Sequence, residues 1–233
     1  MRKFFSAIAA FTAVCTLLTG CGGVDSSFSS DYVTGVLDAS YKGDFDYYLY
    51  STGSDETAAQ EMYDSTIKYY ADSIAFYFEV DLDNVEAGVV DEYTEFSREL
   101  LSKAKYTVSS AENGKDSCYV TVSIKPIDIL AQMETGIQTC IDEYNANVED
   151  LVSEMGNEAI ENMSDEEYAQ FEAELENSYA LSILDALRTC SDSLKYKDNV
   201  DFTIEIIIDE NDTYAPANEN DWNTIDDYIM GLY

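Results

Sequence analysis

Five cysteines, 47 carboxylates and no histidine bound the chemistry open to this chain of 233 residues. Without histidine, Ser-His-Asp and Cys-His catalysis and histidine-based zinc sites are excluded. A thiol nucleophile would then need another activator. Oxygen-rich runs invite a calcium reading, best at Asp81-Leu82-Asp83-Asn84 and Asp209-Glu210-Asn211-Asp212. Neither fits the calcium-loop pattern: position five is Val85 or Thr213, and the required glycine is Glu86 or Tyr214. Both read better as solvated charge runs. Nineteen tyrosines, ten of them between residues 32 and 93, offer stacking platforms for sugars or wall peptides. At helical spacing the same aromatics serve as core, and tyrosine suits a half-wet boundary. We therefore assign no catalytic residue, no cofactor-binding residue and no metal ligand, and expect a protein that is not an enzyme.

The most specific chemistry is a modification. Arg2 and Lys3 form a positive start, Phe4 to Leu18 an apolar stretch, and Leu18-Thr19-Gly20-Cys21 closes it. This is the secretory pattern, and 15 apolar-leaning residues fall short of the roughly 20 a spanning helix needs. Leu-Thr-Gly-Cys resembles the lipobox of bacterial lipoproteins. The resemblance implies cleavage between Gly20 and Cys21, with a diacylglycerol on the Cys21 side chain and acyl chains of the palmitate kind. One acyl chain holds a membrane only marginally, so stable anchoring takes two. The rival reading is an ordinary secretory signal with a chance cysteine. The expected location is the extracytoplasmic face of the cell membrane. Residues 22–30 (Gly-Gly-Val-Asp-Ser-Ser-Phe-Ser-Ser) read as a flexible tether reaching about 30 Å.

Removing Arg2 and Lys3 from a net charge of −35 leaves −37 on the mature chain. Such a charge repels nucleic acid and anionic lipid headgroups. The expectation is that repulsion holds the body off the lipid and the acyl chains are its only membrane contact. A hydrophobic content of 46% and an aromatic content of 13% support a packed core rather than disorder.

The elements that must position these residues start with helices. Asp31 reads as the cap of one carrying Val33, Val36, Leu37, Ser40 and Tyr41, ended by Gly43. An aromatic segment, Phe45 to Tyr50, is broken by Thr52-Gly53-Ser54. Helical spacing returns over 55–78, with Ala59, Met62, Thr66 and Tyr69/Tyr70, and over 92–104, with Phe96, Leu100 and Leu101. The period then changes to two. Tyr106 and Val108 alternate with polar residues, as do Cys118, Val120, Val122 and Ile124, around Asn113-Gly114. A three-residue loop with Gly114 left-handed predicts Tyr106 opposite Val120 and Val108 opposite Cys118. Val200, Phe202, Ile204, Ile206 and Ile208 form a third strand, and this clean alternation predicts an antiparallel sheet with one wet face. Trp222, Ile225, Tyr228, Ile229 and Leu232 read as a closing helix.

Residues 127–197 read as an inserted helical hairpin. Leu130, Met133, Ile137, Cys140/Ile141, Tyr144, Val148, Leu151/Val152 and Met155 step by three and four on one limb. Ser164-x-x-Glu167 opens the other with a capping-box pattern, followed by Phe171, Leu175, Tyr179, Ile183 and Leu187. Limbs of about 30 residues would give an arm about 45 Å long. Cys140 and Cys190 fall 23 and 26 residues from a turn centred on 163–164, which makes them a candidate disulfide in an oxidising compartment. Two small buried hydrophobes is the bland alternative, and Cys118 reads as strand packing. The expected organisation is a signal peptide over 1–20, a lipidated Cys and tether over 21–30, and one α+β domain over 31–233.

Three features together, N-terminal helices, Lys105-Tyr106-x-Val108 followed by Tyr119-Val120-x-Val122-x-Ile124-x-Pro126, and terminal Asp221-Trp222-x-x-Ile225-Asp226, are familiar. They resemble a group of Gram-positive lipoproteins whose extracellular domain is similar to the cystatin-like roll of the nuclear-transport-factor and ketosteroid-isomerase superfamily. The resemblance implies N-terminal helices on a curved antiparallel sheet, with the helical arm as a departure. That superfamily hosts enzymes, binders and assembly domains, so no activity follows from it. The expected function is a membrane-anchored, non-enzymatic binding module, using the cone of the roll for a small apolar or peptide ligand. The alternatives are an acidic hairpin docking a basic envelope protein, and an envelope enzyme acting on wall polymers through Asp or Glu.

Overall fold

The computed structural model describes residues 24–134, 136–210 and 213–233. The expected signal segment, Gly20 and Cys21 lie outside the described residues. The fold is α+β, with helices and a curved sheet whose strands pair antiparallel, as the alternation predicted for the pairing.

The first helix, α1 (Ser26–Lys42), starts six residues before the expected one. Its cap is Asp25, whose carboxylate accepts from the Phe28 backbone N–H at 2.9 Å. The expected tether over 22–30 is thus corrected: its last five residues are helix, and Ser29 is fully buried. The stripe Phe28, Tyr32, Val36 runs at i, i+4 back through the serines, which is why helix formation prevails over the Ser-rich composition. Gly43 ends α1 in left-handed geometry, as expected. Then follow α2 (Asp46–Thr52), α3 (Glu56–Tyr77) and α4 (Ala87–Ser102).

The strands are β1 (Lys105–Val108), β2 (Glu112–Asn113), β3 (Cys118–Lys125), β4 (Val200–Ile208) and β5 (Tyr214–Pro216). All neighbours pair antiparallel, in the order β1-β3-β4-β5, with β2 also on β3. Pro216 lies on the edge strand, where a missing donor is tolerated. The β1–β3 register differs from the expected one by four residues: Tyr106 faces Ile124, and Val108 faces Val122. The cause is the connection. Gly114 is not left-handed; its N–H donates to the Ser117 carbonyl at 2.8 Å, so the turn lies at 114–117. Upstream, two residues of the 109–111 segment oppose one of β3, a bulge pinned by Ser109 N–H to the Thr121 carbonyl at 2.9 Å. An even shift keeps every side chain on its face, so the hydrophobic pattern alone does not select between the two registers.

The chain divides into two compact units, where one domain over 31–233 was expected. Unit 1 comprises the residues up to Tyr69 with Arg98–Ile127 and Tyr196–Tyr233; unit 2 comprises Tyr70–Ser97 and Asp128–Lys195. In unit 1, Cys118, Val120, Val122, Ile124, Ile204 and Ile206 line one sheet face and are 0% exposed. Helix α1 and the final helix α9 of this chain (Asn220–Ile229) cover that face through Val33, Leu37, Ile225 and Ile229. The opposite face is a polar ladder: Thr121 to Thr203 at 2.9 Å, Ser123 to Asp201 at 2.5 Å, and Tyr119 donating to Glu205 at 3.0 Å. Within the core, the Tyr41 hydroxyl donates to the buried Asp226 carboxylate. At its margin Tyr106 donates to Asp38 at 2.7 Å, and Lys42 pairs with Asp38 at 2.8 Å. Burial first, then the Asp38 hydrogen bond, push the Tyr106 phenol well above its ordinary range, so it stays a neutral donor.

Helices α1 and α2 meet at Gly35, where a Cβ would lie 2.6 Å from the Tyr48 nitrogen and 2.7 Å from the Tyr47 carbonyl carbon. Backbone does not yield as a side-chain tip does. Gly35→Ala is therefore expected to destabilise the protein by about 1–3 kcal/mol, read as a lower urea midpoint at unchanged slope.

Candidate functional site

The helical insertion is built from α5 (Ile129–Glu134), α6 (Ile137–Met155), α7 (Asn157–Glu161) and α8 (Asp165–Asp192). The α8 limb runs as predicted, 28 residues or about 42 Å. Its capping box forms: the Ser164 hydroxyl accepts from Glu167 N–H, and the Glu167 carboxylate accepts from Ser164 N–H at 2.8 Å. That backbone bond, then the Ser164 hydroxyl, hold the Glu167 carboxyl below its ordinary range. The other limb is not one helix. It breaks after Glu134 and again at Gly156, whose φ of 81° is a left-side conformation that favours glycine.

The two limbs differ in how much they bury. The second half of α8 packs into unit 2, with Ala180, Ile183, Leu184 and Leu187 fully buried. Tyr93 donates to the Ala180 carbonyl at 2.9 Å, and Tyr179 donates to the Phe78 carbonyl at 3.1 Å. Burial pushes the Tyr93 phenol far above its ordinary range, which keeps that donor protonated. Nearer the tip the picture reverses. Helix α6 has no buried residue, and the buried residues of α8 begin only at Ala180. The limbs touch there through Tyr144, which donates to the Leu175 carbonyl at 2.9 Å and meets Tyr179 edge-on at 5.2 Å. Ile141, Val148, Val152 and Phe171 are half-buried, while Leu151 and Tyr168 are 40% and 45% exposed. No Lys or Arg occurs between Lys125 and Arg188, so every charge along this seam is negative. Arg188 itself pairs with Glu92 at 3.0 Å.

The candidate disulfide is corrected. Cys140 lies level with Ser182, its Sγ 3.0 Å from the Ser182 Oγ, and both Cys140 and Cys190 are free. Ser182 and Cys190 are eight residues apart, about 12 Å of helix, whereas a disulfide needs Cα atoms within about 7 Å. Counting from a turn at 163–164 assumed two unbroken limbs; the Gly156 break and α7 shift the level. Burial raises the Cys190 thiol, with Lys195 opposing. Cys118 is fully buried strand packing, its thiol donating to the Val24 carbonyl at 3.5 Å.

The acidic runs are structural where they are described. Asp81 accepts from Asp83 N–H at 3.1 Å and from the Asn84 side chain at 3.0 Å, which closes a turn. Asp209 accepts from Thr213 N–H at 2.9 Å, while Asn211 and Asp212 lie outside the described residues. Among the described residues no three or more His, Cys, Asp or Glu converge as a metal site. Burial raises the carboxyls of Asp221 and Asp227. Six residues apart on α9, they point to different sides and form no pair.

One feature escaped the sequence reading. Phe28 meets Tyr214 at 4.7 Å and Tyr50 at 5.8 Å between ring centroids, and Tyr214 Oη accepts from Asp25 N–H at 3.1 Å. The available signal was the Phe28–Tyr32–Val36 stripe, hidden by serines.

No family model matches this sequence, and no curated protein matches it. A crystal structure of a candidate lipoprotein, YcdA from Bacillus subtilis, is similar at a TM-score of 0.50 and 16% identity. The match covers 86% of this chain and 55% of that one, so this chain spans about half of that protein's length. At such identity the likeness speaks for the fold alone.

The helix register has a direct check. Alkylation of the unreduced, denatured protein is expected to label Cys118, Cys140 and Cys190 fully, with Cys140→Ser leaving Cys190 labelling unchanged. A peptide linking Cys140 to Cys190 would contradict the register.

Proposed function

We propose that this protein is a lipid-anchored extracytoplasmic lipoprotein that acts by binding, with the helical arm as the surface that takes its partner. The observation that carries the arm reading is α6: an amphipathic helix of 19 residues without one buried side chain. Two helices alone cannot bury both flanks of their shared seam, so apolar surface such as Leu151 and Tyr168 stays in water. Carboxylates border it without a compensating cation. The chemistry that complements both features is a basic amphipathic helix, its apolar stripe on the seam and its lysines or arginines against the rim. A small ligand in the cone of the roll has less support, since the covered sheet face is occupied by α1 and α9 side chains.

Support for the anchor comes from Leu18-Thr19-Gly20-Cys21 and from the lipoprotein description of the Bacillus subtilis neighbour. Among the described residues no helix is long and apolar enough to cross a membrane.

Titration with a 20-residue Lys/Leu amphipathic peptide tests the arm. Binding is expected to weaken with salt and to fall about tenfold, or 1.4 kcal/mol, for Leu151→Ser with Tyr168→Ser at unchanged helicity. If unstructured polylysine binds as well as the peptide, or the double variant binds normally, the arm reading fails. For the anchor, Cys21→Ala is expected to move the protein from the membrane fraction to the medium; retention in the membrane would refute lipidation as the anchor.

A further inference from the structure

The folded body begins almost at the anchor. The Val24 carbonyl accepts from the buried Cys118 thiol at 3.5 Å, and Asp25 N–H donates to the Tyr214 hydroxyl at 3.1 Å. From Val24 onward the chain is therefore tied to β3, β5 and α1. Only Gly22 and Gly23 separate Val24 from Cys21. Three Cα–Cα steps of at most 3.80 Å cap the Cys21–Val24 distance at about 11 Å. A body held that closely has room for little more than a few layers of water beneath it.

What surrounds Val24 is suited to a lipid surface. Phe28 is half-buried between Tyr214 and Tyr50, and Tyr50 is 67% exposed with Tyr47 three residues before it at 50%. Aromatic rings with one apolar body and one polar tip collect at membrane–water interfaces. Next to Val24 on the other side, Cys118 opens β3, so the 114–117 turn projects from the same end with an exposed Lys115. Asp25, N-terminal to α1, and Asp116, in the 114–117 turn, also lie at this end and oppose an anionic surface. Their repulsion is screened beyond about 8 Å, the same scale as the tether, so it cannot lift the body clear.

We propose that the α1 N-terminal end of unit 1, with Phe28 and Tyr50, is the face seated on the lipid surface that carries the Cys21 anchor. This rests on lipidation at Cys21, and it reverses the expectation that the acyl chains are the only membrane contact. Strand β3 supplies an internal ruler: Lys125 lies at its far end, about 23 Å from Cys118 at roughly 3.3 Å per residue, and is exposed.

The test is acetylation of lysines on the full lipidated chain, bound to phosphatidylcholine vesicles and recovered by flotation. The Lys115-to-Lys125 rate ratio is expected to fall about tenfold against soluble Cys21→Ala, an occlusion that one buried aromatic side chain suffices to hold. A ten-residue Gly/Ser insertion between Gly23 and Val24, combined with Tyr50→Ser, is expected to restore the ratio while the protein still floats. If the lipidated protein floats and the ratio equals that of Cys21→Ala, the seated face is wrong and the anchor stands. A fall that survives the insertion with Tyr50→Ser also overturns it. If the protein does not float, the anchor reading fails and this inference falls with it.

Discussion

The β3–β4 ladder is the interaction on which the rest of the structure depends. Seven residue pairs run from Cys118–Ile206 to Ile124–Val200, and the last of them closes an excursion of about 75 residues. Closure entropy grows only logarithmically, so an insertion of this size is tolerated if its two ends are pinned. They are pinned repeatedly. Ile127 bridges Tyr196, and Lys197 N–H donates to the Pro126 carbonyl at 2.9 Å. One step further out, Asp128 N–H donates to the Lys195 carbonyl at 3.0 Å. The C-terminal helix joins the knot, with Ile127 N–H on the Ile229 carbonyl at 2.8 Å and Lys197 Nζ on the Gly231 carbonyl at 2.7 Å. An insertion fixed this way at its base is free to diverge in sequence without disturbing the sheet.

That freedom explains the uneven burial of the arm. Near its base, Leu130, Met133, Ile183 and Leu187 have the remaining helices of unit 2 to pack against. Beyond Ala180 toward the tip, each limb has only the other, and half-buried side chains are the result. The two hydrogen bonds of the capping box and the Tyr144 bond to Leu175 stabilise the hairpin locally. They do not shield its flanks. An accumulation of like charge along the same limbs opposes their close approach, yet no lysine or arginine relieves it before Arg188. A surface that is apolar along its centre and uncompensated at its rim is what the proposed cationic, apolar partner would cover.

The parts legible in the sequence were those with a strong local period. Alternation in Cys118–Ile124 and Val200–Ile208 identified both central strands and their buried face, because a half-buried pleat leaves a period of two. Ser164-x-x-Glu167 announced α8 through its own hydrogen bonds. What stayed hidden depended on counting across a connection. The β1–β3 register turned on a bulge and a four-residue turn, and an even shift leaves the hydrophobic pattern unchanged. The level of Cys140 turned on a helix break at Gly156, which moved its neighbour from Cys190 to Ser182. The start of α1 was hidden because serines near a signal cleavage point read as linker, although Asp25 and Phe28 carry a cap and a stripe.

The last of these has the widest mechanical consequence. A tether of nine residues would leave orientation free, and long-range repulsion between a strongly acidic body and a membrane would then decide the average pose. With α1 beginning at Ser26, the orientation of a body held by the proposed Cys21 anchor is instead set by covalent geometry. Two glycines leave bond rotations but almost no reach, and the first contacts of the folded chain, Val24 with Cys118 and Asp25 with Tyr214, choose which end arrives at the surface. Net charge then acts on the tilt of the body about that end, not on its distance. In the proposed seat, local aromatic contact and global repulsion therefore do not compete at one place: the rings would act within the tether's reach, and the charge on everything beyond a Debye length.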